Sequence, residues 1–292
     1  RLLTNISQLI EKMTQSIKAT KILILIFLII GLYSCSPEKK LAIEFASKAK
    51  SNSILILAPN QLFKVNLKTF MLDSLGIKDD KNKDSLLLIH SHYLSELNDS
   101  LFIANYILGY AKSLSKFGFR IYNQSQMEQF LGIDSNTYQI NIAQIELEET
   151  LYTYRDEANV VDSYYYHDHN LNAVYVNSWF EISNLDKGNS KQNIYFSSDL
   201  ITDIPEGAFD YDIFSGRVRY MYNIDSLELN MLYDFAYQLG SEYAKYTFDL
   251  LLNEELDNKI DASQRNNKYW RYDPTRRTFF LAKDDRFIPL DE

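Results

Sequence analysis

All four histidines of the chain fall in two His-x-His pairs, His90-Ser91-His92 and His167-Asp168-His169. On a β-strand, residues i and i+2 point to the same face, so each pair could present two imidazoles together. Zinc, copper or nickel accepts such nitrogens, with Asp168 or Asp162 available as an oxygen ligand. The alternative is that the pairs merely occupy polar strand ends and a loop. A single transition-metal site requires the fold to bring residues 90 and 167 together, and no cofactor is expected otherwise.

Carboxylates are the second group able to do chemistry. Glu146, Glu148 and Glu149 lie in one extended segment, and Asp203 and Glu206 lie near a turn. A glycosidase-type acid–base pair needs two carboxyls facing across a cleft at about 5–10 Å. Neighbouring glutamates on a strand alternate faces and more commonly form a solvated edge. The aromatic residues Tyr164, Tyr165, Tyr166, Trp179, Trp270 and Tyr272 could stack on a sugar or form a protein-binding surface. The run Tyr164-Tyr165-Tyr166 falls in a polar connection, DSYYYHDHN, and marks the 163–170 loop as the expected interaction surface. No nucleophile elbow, HExxH, phosphate-binding glycine loop or CxxC is present, and no catalytic residue is assigned.

These residues need a scaffold, and the sequence outlines one. SILILA (53–58) reads as a buried first strand, followed by alternation in LFKVNL. KDDKNK (78–83) reads as a solvated loop and SLLLIH (85–90) as another strand. NDSLFIANYILGYAKSLSKFG reads as a helix, with Asn98 or Asp99 at its start and Gly118 just past its end. A strand at Phe119–Asn123 and a short helix ending at Gly132 come next. The extended segment 138–154 changes its alternation between Ile142 and Ile145, which predicts a bulge. A second long strand spans 171–183, with both faces apolar enough to be covered. Lys187-Gly188 marks a turn into a strand at 194–202, giving three consecutive antiparallel strands. A helix from Ser226 to about Leu251 carries a wide apolar stripe interrupted by Gly240, which a packed neighbour explains. Residues 253–292 read as an extension containing a β-hairpin that turns at Asp273-Pro274.

The amino-terminal stretch KILILIFLIIGLYSC fixes a different property. Its apolar run is about a dozen residues, shorter than the roughly 20 that span a bilayer. With Lys18 and Lys21 before it, the run reads as the apolar segment of a secretory signal over residues 1–34, with Met13 as the expected start and 1–12 upstream of it. Leu32-Tyr33-Ser34-Cys35 resembles a bacterial lipobox, which implies that Cys35 carries diacylglycerol and an acyl chain such as palmitate. Two or more chains anchor stably. By resemblance to lipoprotein sorting signals, Ser36 after the cysteine implies an outer-membrane destination, and Pro37-Glu38-Lys39-Lys40 does not resemble the acidic tether of surface display in Bacteroidota-type lipoproteins, so the protein is expected to face the periplasm. Residues 35–50 read as a lipidated tether with some helix, ahead of an α/β domain over 51–252.

The fold class is thus α/β (α+β), a mixed sheet with a strand-helix-strand-helix-strand start, antiparallel strands and a long helix in the carboxy-terminal half. That order resembles, over residues 52–200, the amino-terminal domain of TolB and the periplasmic domain of CsgG-like assembly lipoproteins. NSWFEIS (177–183) followed by AYQLGSEYAKY (236–246) resembles a Bacteroidota-type lipoprotein family. Neither resemblance carries catalytic residues to transfer.

The leader holds Arg1, Lys12, Lys18 and Lys21 against Glu11, and removing its +3 from the chain's −9 leaves a body of −12. Such a body repels phosphate backbones, and nucleic acid is not an expected partner. The expected function is a non-enzymatic binding or assembly component of the cell envelope, anchored by lipid to the outer membrane and meeting an envelope protein. The alternatives are a metal- or carboxylate-dependent envelope hydrolase, or a binding module for a small ligand or glycan.

Overall fold

The computed structural model describes residues 37–74, 76, 82–133, 136–185, 193–261, 269–282 and 286–290. The leader, Leu32, Tyr33, Ser34, Cys35 and the Lys187-Gly188 turn lie outside the described residues. Among the described residues no helix is long and apolar enough to cross a membrane.

One seven-stranded mixed sheet organises the chain. β1 (Ser53–Leu57) lies at the centre of its parallel half, paired with β3 (Arg120–Asn123) on one side and β4 (Thr137–Val160) on the other. β2 (Phe63–Asn66) joins β4 farther along the same edge, in parallel from Glu146 to Glu149. The crossover from β1 to β3 contains α4 (Asp99–Phe117), while the return from β3 to β4 contains the short α5 (Met127–Leu131). These crossovers lie on opposite faces. Ile54, Ile56 and Ile121 join the main core beneath α4, whereas Tyr122 meets Phe130 of α5, 5.6 Å between ring centroids. Opposite faces are what right-handed crossovers in opposite directions demand.

The second half of the sheet is antiparallel, β4 to β5 (Ser163–Asn184), β5 to β6 (Asn193–Thr202), and β6 to β11 (Ile288–Leu290). The bulge expected between Ile142 and Ile145 is present as a register shift between Ile142 and Gln144. It restores the alternation that sends Ile142, Ile145 and Leu147 into the core.

α4 and α6 (Leu229–Lys259) run side by side in the same direction across one face of the sheet. Asn98 N–H meets Tyr233 Oη at 3.0 Å near their starts, and Phe117 stacks on Phe248, 4.6 Å apart, farther along. Asn98 caps α4 by accepting the Leu101 N–H at 3.0 Å, and Gly118 ends it at φ 107°. Two glycines let the backbones touch. A Cβ on Gly109 would lie 2.1 Å from the Tyr237 carbonyl oxygen, and one on Gly240 2.0 Å from that of Tyr106.

Three expectations are corrected here. SLLLIH is not a strand: α3 (Lys83–Ile89) is a helix that buries only Leu87 fully and exposes Ile89. The segment read as a tether is α1 (Pro37–Lys48), which buries Ala42 and Phe45 against the end of α6. The helix expected to end at about Leu251 runs farther, and the hairpin expected at Asp273-Pro274 is present. α6 continues to Lys259, and the hairpin of β9 (Tyr269–Asp273) and β10 (Thr278–Ala282) contributes Trp270 to the same core as Phe287.

Candidate functional site

β4 and β5 outrun the sheet. β2 pairs with β4 only as far as Glu149, and β6 pairs with β5 only from Ala173, so residues 150–160 and 163–172 form a free two-stranded ribbon. β-branched and tyrosine residues suit such a ribbon. A second hairpin, β7 (Ile204–Asp212) and β8 (Arg217–Asp225), packs over one face of it and completes a two-layered arm.

Tyrosines and histidines, not aliphatics, fill the space between the layers. Strand alternation sends Tyr154, Asp156, Tyr165, His167 and His169 to the inner face. His167 stacks on Tyr220 of β8 at 4.4 Å and on Tyr222 at 5.7 Å, and Tyr165 meets Phe209 of β7 at 6.2 Å. Tyr220 Oη donates to Asp156 Oδ2 at 2.9 Å and lies 2.7 Å from His169 Nε2. Because the phenol has one proton to give, the network assigns the proton between them to His169 Nε2. Burial, followed by the Asp156 hydrogen bond and charge, pushes the Tyr220 phenol up to about 12. Gly207 makes this possible, since a Cβ there would lie 1.9 Å from Tyr220 Oη.

The outer face of the ribbon is open and laced across its strands. Arg155 holds Asp168 in a two-pronged pair, 2.7 and 2.9 Å, and lies 4.4 Å over the Tyr166 ring. The Arg155 hydrogen bonds hold the Asp168 carboxyl below its ordinary value. Tyr164 donates to Glu157 at 2.5 Å. Tyr164 and Tyr166 are each 55% exposed, so the triplet is split by alternation, two rings outward and Tyr165 inward. Their expected place on a loop is therefore corrected to a strand. At the arm's distal end Ile213 is 80% exposed and Phe214 fully so. The ribbon's own turn places Val161 at φ 48° and Asp162 at φ 59°. A left-handed position costs an ordinary residue about 1–2 kcal/mol, and β-branched valine is poorly suited to it.

The two histidine pairs are not brought together. His90 follows the last turn of α3 and His92 lies in the loop beyond, both exposed, because SLLLIH is helical and the i, i+2 strand geometry is lost. His167 and His169 do share a strand face, 4.7 Å apart, but Asp168 points to the other side toward Arg155 and Asp162 sits at the turn. Among the described residues no three or more His, Cys, Asp or Glu are disposed to hold a metal ion. The four-histidine site is withdrawn.

The carboxylates divide by face. Glu149 is fully buried and accepts the backbone N–H groups of His92 (2.8 Å), Tyr93 (2.9 Å) and Leu94 (3.3 Å), and Lys68 Nζ at 3.0 Å. Lys68 donates again to Asn172 Oδ1 at 2.9 Å, and Asn172 donates from N and Nδ2 to Asp203 Oδ2 at 2.7 and 3.0 Å. Asp203 Oδ1 accepts the Leu227 N–H at 2.8 Å. Asp203 precedes β7 and Leu227 follows β8, so this chain of bonds clamps the root of the arm to the body. Burial, with Asp203 and Glu149 nearby, holds the Tyr93 phenol well above its ordinary value. Neither carboxylate is placed to meet a substrate. Glu146 and Glu148 share the opposite face, where burial and the Glu146 hydrogen bond raise Glu148, and Glu206 is exposed on β7.

Sequence reasoning did not single out Lys68, Asn172 or Tyr220. A polar residue next to a strand end carries no signal of its own. For Tyr220 the available signal, which went unread, is the alternation of tyrosine in RVRYMYNID (217–225). No protein-family model matches the chain, and no curated protein matches it.

Proposed function

We propose that the protein is an outer-membrane-anchored lipoprotein that acts as a non-enzymatic binding or assembly component of the cell envelope, with the two-layered arm as its contact element. Its amino-terminal region resembles that of bacterial lipoproteins, and the anchor is Cys35. The observation that carries the reading is the arm's exposure of Tyr164, Tyr166, Ile213 and Phe214 on a projecting two-layered support. Exposed apolar and aromatic clusters on otherwise polar surfaces mark interaction sites. Val161 adds to this, since an apolar residue held exposed in a strained turn is a stability cost that a contact offsets. The body's charge argues for a protein partner over nucleic acid, and the buried roles of Glu149 and Asp203 argue against hydrolysis by either.

The test is photo-crosslinking in cells, with the crosslinking residue at Tyr166 in one strain and at the exposed body residue Lys116 in another. We expect a discrete envelope-protein adduct from the arm position alone, lost when Ile213 and Phe214 are both changed to Ser. Adducts of equal yield from both positions, or none from the arm, overturn the assignment of the arm. Mass spectrometry of membranes finding Cys35 unmodified and uncleaved overturns the anchor.

A further inference from the structure

The carboxyl ends of β1 and β3 lie side by side; the crossover that follows β1, by way of β2, carries α4 on one face of the sheet, and the one that follows β3 carries α5 on the other. Such a divergence opens a crevice beyond the carboxyl ends of parallel strands, the general place for ligands in open α/β sheets. Here the crevice is a cavity of about 410 Å³, within the size range that encloses small organic molecules. Ile56 at the end of β1, Ile107 and Ala111 on α4, and Ile121 on β3 form its walls. Among the described residues no charged side chain lines it.

Polar groups are confined to the rim. Asn123 Oδ1 accepts from Ser125 N and Oγ at 3.1 and 2.6 Å, and Gln126 Oε1 accepts the Asn123 N–H at 3.2 Å. Both carboxamide oxygens are thus engaged in the turn that leads into α5. The two NH₂ groups have no partner among the described residues, so the rim offers hydrogen-bond donors and fixed geometry.

An apolar cavity with an uncharged rim, where the Asn123 and Gln126 carboxamides offer donors beside Gln124 and Tyr122, selects its ligand by exclusion. A phosphate or free carboxylate would bring a charge to apolar walls with no cation to meet it, at a large desolvation cost. Among the described residues a sugar would find one ring, Tyr122, and no carboxylate to accept from its hydroxyls. We propose that this cleft binds a neutral amphiphile, with an aliphatic tail between α4 and the strand ends and an ester or amide carbonyl accepting from Asn123 and Gln126. This site is separate from the arm and does not depend on the anchor.

The probe is glycerol monodecanoate below its micelle concentration, titrated into the purified protein by calorimetry, with sodium decanoate as the charged counterpart. We expect saturable binding of one monodecanoate per chain and binding of decanoate that is weaker by roughly tenfold or more. Ala111→Phe fills the cavity and should abolish binding. Leu108→Asn, at a lip position 57% exposed and remote from the core, should weaken it without moving the melting temperature. Gln126→Glu replaces a donor with an acceptor and should weaken it by about tenfold. Absence of saturable binding, equal binding of decanoate, or binding by Leu108→Asn and Gln126→Glu at wild-type strength each overturns the proposal.

Discussion

Single residues in the arm and at its root do work that their types alone do not announce. Tyr220 gives one proton to Asp156 and takes one from His169, and His169 is only 4% exposed. Replacing Tyr220 by Phe keeps the stacking with His167 but leaves a buried donor and a carboxylate unsatisfied. Leaving such groups without partners costs about 1–3 kcal/mol. The loss should be local, because the arm's core is separate from the body's. Hydrogen exchange in Tyr220→Phe is expected to accelerate across 154–169 and 207–222 while the amides of α4 and α6 keep their protection. Uniform acceleration throughout the chain would mean that the arm is not an independent packing unit. Much of this was illegible beforehand. The histidine pairs stood out by spacing, yet spacing could not say that His167 and His169 would be core side chains facing tyrosines from another hairpin. Glu149 looked like its neighbours Glu146 and Glu148, and only the one-residue alternation placed it inside.

At the level of elements, aliphatic periodicity was a dependable guide and its absence was not. The helices 99–117 and 229–259 carry stripes of leucine, isoleucine and tyrosine at helical spacing, and both were recognisable, the first with its Asn98 and Gly118 ends, the second with bounds that fell about three residues early at its start and eight short at its end. SLLLIH misled because a short unbroken apolar run has no periodicity to separate helix from strand. DSYYYHDHN read as a connection because its inner face is built from Tyr and His, which do not register as a buried alternation. Residues 203–225 received no element for the same reason. Gly240 was legible in both position and cause, and its substitution sets two effects of opposite sign against each other. Alanine in mid-helix gains up to about 1 kcal/mol over glycine. A Cβ 2.0 Å from the Tyr106 carbonyl oxygen forces α4 and α6 apart, an overpacking cost of about 3 kcal/mol. The clash wins. Gly240→Ala should therefore lower the denaturation midpoint, by net about 2 kcal/mol, whereas Gly132→Ala, with no neighbour inside 3.4 Å, should leave it within experimental error.

The whole molecule has two ends, and α6 measures the distance between them. Its start lies at the root of the arm, beside Leu227, and its last turns meet α1 and β9. At about 1.5 Å per residue its 31 residues cover roughly 46 Å. The ribbon from residue 150 to 160 adds about 35 Å beyond that root. Pro37, the first residue of α1, is two positions from Cys35, and Glu38 is fixed by the Trp270 indole N–H at 3.3 Å. If Cys35 carries the lipid, the body has almost no slack and rests on the bilayer by its α1 end, holding the arm outward. The chain's single cysteine is then occupied by lipid, so an introduced cysteine can be labelled uniquely. A fluorophore at Phe214→Cys in liposome-bound protein should show no quenching by headgroup-quencher lipids, while one at Lys39→Cys should be strongly quenched. Quenching at position 214 equal to that at position 39 would place the arm on the membrane and make lipid, not an envelope protein, its partner.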